Sequence, residues 1–386
     1  MTLRRALLLS GSFGKGHDTL AEACAAALAP RGVESRIVDC MPMLGRGLGG
    51  VGDRVFRTMI SAPPVYDAYH FSQLRAEGLF GRLSDRAAVR VMLPHLRREV
   101  EDYRPDLVVS VFATGAAGAA ALKREHPETM TVVFMTDSFA HRIWVHEGTD
   151  LFLVTSELAA ASVRRYWPEA EVVVTTAPVR PEFHAAPPRP VARAALGVAP
   201  GARCALLISG AWGIGPLAEI ARALGAAGCT VLAVAGENGR LLGQLRSVAR
   251  DQPAVMPFGY TTRLPEMMAA ADVVVTSSGD TCREARAIGR PLVLLDVVPG
   301  HGRENLAHEL EMGGAAVSSP TARSVVGMVE RALSGSVGSR TPPVGGGCGW
   351  DTGFLAALGA AGADLGPPPQ SEPVPQSEPV PRPPAV

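Results

Sequence analysis

The sequence has no net charge, few aromatic residues and almost no lysine. Its 386 residues carry 37 Lys and Arg against 37 Asp and Glu, only 5% are aromatic, and Lys15 and Lys123 are the only lysines. A general nucleic-acid binder shows a basic excess over its whole domain, so the zero balance argues against that class. At roughly 100–200 residues per domain, the length predicts two domains that each bury a core.

The chain also lacks a long apolar run, a paired-cysteine motif and any D-x-D sequence. No segment approaches the roughly 20 apolar residues that span a bilayer. The six cysteines are scattered without a C-x-x-C pair, which indicates buried or free thiols in a reducing cytosol and no structural zinc. The absence of D-x-D weighs against a metal-bridged nucleotide-sugar site, so we expect no bound metal.

Short β-branched or Leu-rich runs alternate with Ala-rich stretches, which is typical of parallel α/β architecture. The first half contains the candidate strands Arg5–Ser10, Ser35–Asp39, Leu107–Phe112, Thr131–Thr136, Leu151–Thr155 and Val172–Thr175. The second half contains the candidate strands Ala205–Ser209, Val231–Ala235, Val255–Phe258, Val273–Thr276 and Leu292–Leu295.

Composition divides the chain into segments. Prolines are dense between Pro178 and Gly201, where neither a helix interior nor a central strand tolerates them, so we place an interdomain linker there. The C-terminus repeats QSEPVP, a composition that favours solvated polyproline II. The predicted segments are a first domain (1–178), the linker (179–203), a second domain (204–336), a Gly-rich segment with a short helix (337–363) and a disordered tail (364–386).

An internal repeat supports two domains. Residues 6–17 (ALLLSGSFGKGH) and 205–216 (ALLISGAWGIGP) share an apolar strand, a Ser-Gly turn, an aromatic residue and a G-x-G entry into a helix, at a constant offset of 199 residues. Each copy is expected to open its own Rossmann-like domain. Gly14 and Gly16 would allow a ligand to approach the backbone at a helix N-terminus, although the spacing matches neither the dinucleotide nor the P-loop motif.

The two copies differ at their last residue. The second ends in Pro216, an ordinary first residue of a helix, whereas the first ends in His17. Because the helix dipole disfavours a protonated histidine there, the neutral, base-competent form of His17 is favoured. A solvent-exposed or capping histidine is the alternative.

Polar residues follow two consecutive strands of the second half. After Val273–Thr276, a small polar turn could bind phosphate, and Glu284 on the next helix could accept hydrogen bonds from ribose. The turn residues are Ser277, Ser278, Gly279 and Thr281. The residues after the next strand that could recognise a hydroxyl-rich ligand are His301, Glu304 and Asn305. The alternatives are a helix cap with a surface glutamate, and a polar loop.

A further polar segment, TDSFAHRIWVH at residues 136–146, follows a strand of the first domain. In a conventional sheet Asp137, His141 and Trp144 would face the interdomain cleft, with Asp137 as a second catalytic candidate. A local loop contact in which Trp144 simply packs is the alternative.

Residues 46–98 do not have a sheet pattern and are basic. They hold nine Arg and four acidic residues, a net charge of +5. One quadrant of an ideal helix would carry Arg82, Arg86, Arg90 and Arg97 beside Leu79, Leu83, Ala87 and Val91, although Pro94 is expected to interrupt that helix. Such a stretch can bind an anionic membrane at about 1 kcal/mol per cation, and a solvated helix face is the alternative.

Taken in order over residues 4–335, these motifs resemble GT-B glycosyltransferases of the monogalactosyldiacylglycerol synthase and diacylglycerol glucosyltransferase group. SGSFGKGH is similar to the family's G-G-G-H turn, and FMTDSFAHRIWVH to its T-D…H…W segment. APVRPEF followed by ARAALGV resembles its linker P-V-R-P-x-F and R-x-x-L-G. FGYTTRLPEMMAAADVVVT is similar to its G-F-x-x-x-M…A-A-D strand, and PGHGREN to its P-G-Q-E-x-x-N.

The resemblance implies two Rossmann-like domains facing a cleft, and an inverting, metal-independent transfer of a hexosyl group from a UDP-sugar to a membrane lipid such as diacylglycerol. His17 matches the family's histidine, which implies the role of general base. UDP would bind the second domain, with Glu284 toward ribose. The residues toward phosphate would be Gly210, Gly213, Ser278, Gly279 and Thr281. The resemblance implies a peripheral protein on the inner face of the cell membrane, with no cofactor beyond the UDP-sugar.

Two departures from the family pattern keep other functions open. Ser277 replaces the usual cation of the phosphate turn, Asp280 replaces its second Gly, and Gly279 lies five residues before Glu284 instead of six. That spacing is similar to non-hydrolysing UDP-N-acetylglucosamine epimerases, which share the fold. The alternatives are a natural-product glycosyltransferase or a sugar epimerase, and a degenerate scaffold whose Pro-rich tail recruits a protein partner.

Overall fold

The computed structural model describes most of both predicted domains. It covers residues 1–11, 16–44, 79–210, 212–298, 300–337 and 349–366, without the side chains of 79–82, 84, 85 and 301. Gly14, the side chains of Arg82 and His301, and most of the predicted disordered tail therefore lie outside the described residues.

The first domain is built on a sheet of six parallel strands. In chain order they are β1 (Arg5–Ser10), β2 (Glu34–Asp39), β3 (Leu107–Ser110), β4 (Met130–Phe134), β5 (Leu151–Val154) and β6 (Val172–Val174). Their spatial order is β2-β1-β3-β4-β5-β6. The helices are α1 (Gly16–Leu28), α2 (Leu79–Tyr103), α3 (Ala113–Lys123) and α4 (Glu157–Tyr166).

The linker holds two short helices, and a second six-stranded parallel sheet follows. The linker helices are α5 (Pro181–His184) and α6 (Arg189–Leu196). The strands are β7 (Cys204–Ile208), β8 (Thr230–Val234), β9 (Val255–Phe258), β10 (Val273–Thr276), β11 (Leu292–Leu295) and β12 (Ala315–Ser318), in the spatial order β12-β11-β10-β7-β8-β9. The helices are α7 (Leu217–Ala226), α8 (Gly239–Asp251), α9 (Leu264–Ala270), α10 (Asp280–Ala287), α11 (His301–Glu311), α12 (Ala322–Leu333) and α13 (Trp350–Ala360).

The two copies of the internal repeat occupy matching positions in the two sheets. β1 lies between β2 and β3, and β7 lies between β8 and β10, so each sheet reverses its direction of growth beside its first strand. Ligands of open α/β sheets bind outside the carboxyl ends of the strands at such a switch point. The carboxyl ends of β1 and β7 are therefore placed where a ligand would bind.

Buried apolar strands explain why the strand predictions succeeded. β3, β4, β5, β7, β10 and β11 are buried along their whole length, as expected for parallel strands covered by helices on both faces. The eleven predicted strands are confirmed, with bounds that shift by at most two residues. β12 was not predicted, because AAVS at a sheet edge carries little β-branched or alternating pattern.

The last described residues, 349–366, pack on the first domain. α13 packs Phe354 against Phe134 of β4, with ring centroids 6.1 Å apart, and buries it completely. Asp364 then forms a parallel bridge with Thr2, and its carbonyl accepts a hydrogen bond of 3.0 Å from Leu3 N. The segment predicted as a disordered tail therefore begins with residues fixed to the N-terminus.

α2 corrects the expectation that Pro94 interrupts the basic helix. Leu79–Tyr103 is one helix with Pro94 inside it. Arg90 and Pro94 are both exposed, so the carbonyl that loses its helical partner faces water, which lowers the cost of the proline. Leu96 and Val100 on the opposite face are buried in the core.

The predicted basic quadrant of α2 is divided between two environments. Arg86 and Arg90 are exposed, as are the neighbouring Leu83 and Val91. Arg97 instead forms a bidentate ion pair with a carboxylate of α3's C-terminal loop, Glu125, at 2.8 and 2.5 Å. Among the residues that the structure describes, no helix is both long and apolar enough to span a bilayer.

A buried ion pair fastens the linker to the second sheet. Arg193 of α6 is 3% exposed, and its Nη2 donates to Asp272 Oδ2 at 2.9 Å. The same guanidinium donates to the carbonyls of Ala270 and Ala199, while Asp272 accepts from Cys204 N at 2.8 Å. The R-x-x-L-G and A-A-D motifs are thus two sides of one contact, which explains structurally why they occur together.

Arg193→Met is expected to lower the free energy of unfolding by about 3 kcal/mol, because it leaves the carbonyl of Ala270 without its buried donor and removes one of the two arginines paired with Asp272. Urea unfolding at neutral pH measures this loss. The matched control is Arg222→Met, which breaks an exposed pair with Asp251 and should cost less than about 1 kcal/mol. Equal losses in the two variants would contradict the role given to Arg193.

Candidate functional site

His17 is the second residue of α1. Ser10 at the end of β1 donates a hydrogen bond of 2.6 Å from Oγ to Asp18 Oδ1, which ties the helix start to the strand end. His17 Nδ1 lies 2.7 Å from the carbonyl oxygen of Val111, just past β3. A carbonyl only accepts, so Nδ1 carries the proton in this contact and Nε2 of the neutral ring keeps its lone pair.

A cleft of about 290 Å³ lies between the two domains at the carboxyl ends of the strands. Its first-domain wall comes from Gly16 and Thr19 of α1, and its floor from the linker at Arg180. Seven predicted site residues line it: Gly16, Gly210, Ser277, Ser278, Gly279, Thr281 and Glu284. The structure therefore brings Gly16, at the start of α1, to the predicted phosphate turn of the other domain.

The turn after β10 is held by hydrogen bonds within the second domain. Ser209 Oγ donates to Ser277 Oγ at 3.2 Å, and Ser278 Oγ donates to the carbonyl of Gly302 at 2.9 Å. Gly279 precedes α10 with a φ of 150°, a conformation that side chains disfavour. The turn therefore presents the N-terminus of α10 to the cleft, where backbone N–H groups attract an anion.

Glu284 is buried beneath this turn and paired with the linker. Its side chain is 10% exposed, and its Oε1 accepts from Arg180 Nε at 3.1 Å and from Arg180 Nη2 at 2.9 Å. Burial raises the pKa of the Glu284 carboxyl, while the charge of Arg180 opposes that rise. Arg180 also pairs with Glu182 at 3.2 Å and lies over the ring of Phe183, 4.8 Å from its centroid. The guanidinium that bonds Glu284 is therefore also held by Glu182 and by the ring of Phe183.

Asp280 and Arg283 form an ion pair in the first turn of α10, and both line the cleft. Asp280 also faces the other domain, because a Cβ added to Gly16 would lie 2.7 Å from Asp280 Oδ2. The N-terminus of α1 and a carboxylate of the second domain are thus in contact. A side chain at position 16 would require the Asp280 carboxylate to move.

Asp137, Trp144 and Asn305 make contacts beside the cleft. Trp144 Nε1 donates to Asp137 Oδ2 at 3.0 Å, and the indole is 2% exposed. The backbone N–H of Ser138 donates to Asn305 Oδ1 at 3.2 Å, which joins the loop after β4 to α11 of the second domain. Asp137 is thus oriented by a buried indole, and the loop that holds it reaches the opposite domain.

The remaining predicted residues lie apart from the lining of the cleft. His141 lies near Trp144, with ring centroids 6.3 Å apart. Glu304 lies in the first turn of α11, the helix that begins at His301. Gly213 is packed inside the second domain, where a Cβ would lie 2.6 Å from Leu241 and 2.9 Å from the carbonyl of Ala235.

Sequence analysis missed two cations of this site. Arg180 lies within APVRPEF, which was interpreted only as a linker motif, and Arg283 precedes Glu284 on α10. The signal for Arg283 was its spacing of three residues from Asp280, which places opposite charges on one helix face. Nothing in the sequence places Arg180 near Glu284, since 104 residues separate them.

The arrangement of the two sheets is that of solved glycosyltransferases. The crystal structure of Acinetobacter baumannii MurG superposes with a TM-score of 0.61 at 12% identity, covering 92% of this chain and 99% of that one. At such identity the likeness shows the fold alone, which is the GT-B arrangement of two Rossmann-like domains.

Sequence comparison shows which glycosyltransferases the chain resembles. Residues 71–179 match the family model of monogalactosyldiacylglycerol (MGDG) synthase. The processive diacylglycerol beta-glucosyltransferase of Bacillus pumilus is 23% identical over 326 residues, 82% of this chain and 83% of that protein. This chain is a GT-B glycosyltransferase resembling that family. The resemblance inferred from the motifs is confirmed.

A plant relative matches less of its own length. The chloroplastic monogalactosyldiacylglycerol synthase of Spinacia oleracea is 29% identical over 255 residues, 61% of this chain and 49% of that protein. The chain therefore spans about half the length of this glycosyltransferase.

Replacing Arg180 should make stability depend on pH. Arg180→Met removes the cation that opposes burial, so the folded-state pKa of Glu284 rises further above its ordinary value. A raised carboxyl pKa favours folding while the group is protonated, and this contribution is lost as pH rises. The variant should lose about 2 kcal/mol relative to wild type at pH 8 and much less at pH 4.5.

Unfolding by urea at several pH values measures this difference. Arg180→Met combined with Glu284→Gln is the control, and its loss should vary little with pH because the titrating group is gone. A loss in Arg180→Met that is the same at pH 4.5 and pH 8 would contradict the coupling between the two residues.

Proposed function

We propose that this glycosyltransferase moves a hexosyl group from a UDP-sugar to the hydroxyl of a membrane lipid such as diacylglycerol, with inversion and without a metal ion. The observation that carries the proposal is the position of His17. The Nδ1 proton of His17 is held by a carbonyl, and His17 directly follows Gly16, which lines a cleft whose other wall is the turn after β10.

The second domain is the side that would bind the nucleotide. Glu284 keeps Oε2 available toward ribose hydroxyls while Arg180 holds Oε1, and the N-terminus of α10 faces the cleft with Ser278, Gly279 and Thr281. Backbone N–H groups there would donate hydrogen bonds to a diphosphate. Arg180 and Arg283 supply positive charge at the same cleft.

His17 would act as the general base. Nε2 takes the proton of the acceptor hydroxyl, the acceptor oxygen forms a bond to the anomeric carbon, and the bond from that carbon to the diphosphate breaks. Attack from the face opposite the leaving group inverts the configuration. The charge that develops on the departing UDP is met by the α10 N-terminus and the cleft arginines.

The names of the relatives support a lipid acceptor, and the surface of α2 supports a membrane contact. Leu83 and Val91 are 55% and 45% exposed beside Arg86 and Arg90 on one helix. Apolar side chains that enter an interface and cations that meet anionic headgroups are the two parts of peripheral binding. We propose that the protein binds the inner face of the cell membrane through this surface.

His17→Ala is expected to reduce transfer from UDP-glucose or UDP-galactose to diacylglycerol by at least about 100-fold, because the acceptor hydroxyl loses its base. UDP should raise the melting temperature of this variant as much as that of the wild type, since the nucleotide binds the other domain. His126→Ala is the control, because His126 pairs with Glu128 at the amino end of β4, away from the cleft. Transfer by His17→Ala at the wild-type rate would contradict the assignment of His17 as the base.

Reversing two charges on α2 should weaken membrane binding. Arg86→Glu with Arg90→Glu is expected to lower affinity for anionic vesicles at least about tenfold, measured by co-sedimentation at low salt. The control reverses Arg246 and Arg250, which have the same spacing on exposed positions of α8. Equal binding by the two double variants would show that α2 is not the membrane contact.

A further inference from the structure

The charged residues that line the cleft cancel one another. They are Arg180, Asp280, Arg283 and Glu284. A nucleoside diphosphate adds at least two negative charges, so a tight complex needs a cation that can leave its present partner and reach phosphate. The two guanidinium groups that line the cleft belong to Arg180 and Arg283.

Arg180 is held in place because Glu284 is buried and needs its charge. It bonds Glu284 through two nitrogens and Glu182 through a third, and it lies over Phe183. The Glu284 side chain is only 10% exposed, so removing Arg180 would leave a buried carboxylate without its cation. That cost makes Arg180 a fixed part of the site.

Arg283 is held much less firmly. Its ion-pair partner is Asp280 on the same helix, and the Asp280 side chain is 47% exposed. Water can replace the guanidinium there, and the carboxylate lies in the first turn of α10, where the helix dipole stabilises a negative charge. It also stands against Gly16 at the N-terminus of α1. Asp280 therefore remains stabilised when Arg283 leaves.

We propose that Arg283 is the residue that contacts the diphosphate of the bound nucleotide, and that Asp280 holds it in the empty cleft and releases it on binding. The assignment rests on the proposed UDP-sugar donor and adds the residue that recognises its phosphates. It gives Asp280 a function beside an anion, where a carboxylate alone would repel the ligand. Position 277 then needs no cation, because one is supplied six residues later, in the first turn of α10.

Calorimetric titration of the full chain with UDP and with uridine tests this exchange. Arg283→Gln should weaken UDP binding about 10- to 100-fold, the loss of a charge-assisted phosphate contact, and leave uridine binding unchanged. Asp280→Asn should tighten UDP binding about two- to fivefold, because the competing partner is weakened. Arg222→Gln, which makes the same charge change on an exposed pair, is the control.

Each outcome decides between two claims. UDP binding that is equal in the wild type and in Arg283→Gln overturns the role of Arg283 while the donor stands. Uridine and UDP weakened by the same factor would show that Arg283 shapes the site without contacting phosphate, and also overturns it. Failure of the wild type to bind UDP overturns the donor and this assignment together. Melting curves without ligand establish that each variant is folded.

Discussion

The cleft depends on one ion pair, between Arg180 in the linker and Glu284 under the turn after β10. A buried carboxylate needs a cation, and the one it has comes from the segment that joins the domains. The position of Arg180 in the linker and the orientation of the Glu284 carboxylate are therefore tied to the same contact. A change in the relative position of the domains would have to preserve this pair or leave a buried charge unpaired.

Two kinds of motif can be distinguished once the contacts are known. R-x-x-L-G and A-A-D meet in the Arg193–Asp272 pair, at the amino end of the second sheet and away from the cleft. The two copies of the repeat instead lead into the cleft from opposite sides. The R-x-x-L-G and A-A-D motifs thus stabilise the fold, whereas the two copies of the repeat lie at the cleft.

Much of the fold was predictable, because buried parallel strands have continuous apolar sequences. The loops that bind a ligand follow the carboxyl ends of such strands. The same rule predicted ligand-binding turns at the strand ends, and the structure places Gly16, Ser278 and Glu284 in the lining of one cleft. It failed at β12, whose short Ala-rich edge has little pattern, and at Pro94, where exposure of the affected carbonyl made the proline tolerable.

The pairing of charges could not be predicted. The sequence contains Arg180 and Arg283, but their roles depend on which carboxylate partner is buried and which is exposed. Burial results from tertiary packing. The replacement of a cation at Ser277 and the acid at Asp280 suggested a damaged phosphate site when considered one residue at a time. Considered with Arg283, the same turn retains a balanced pair of charges.

The most direct measurement incubates the full chain with UDP-glucose or UDP-galactose and with vesicles of diacylglycerol and anionic lipid, and determines the product by NMR. The account predicts a glycosyl diacylglycerol whose anomeric configuration is inverted relative to the donor, formed with an equal amount of UDP. A product with retained configuration, or consumption of the UDP-sugar without any glycolipid, would contradict it.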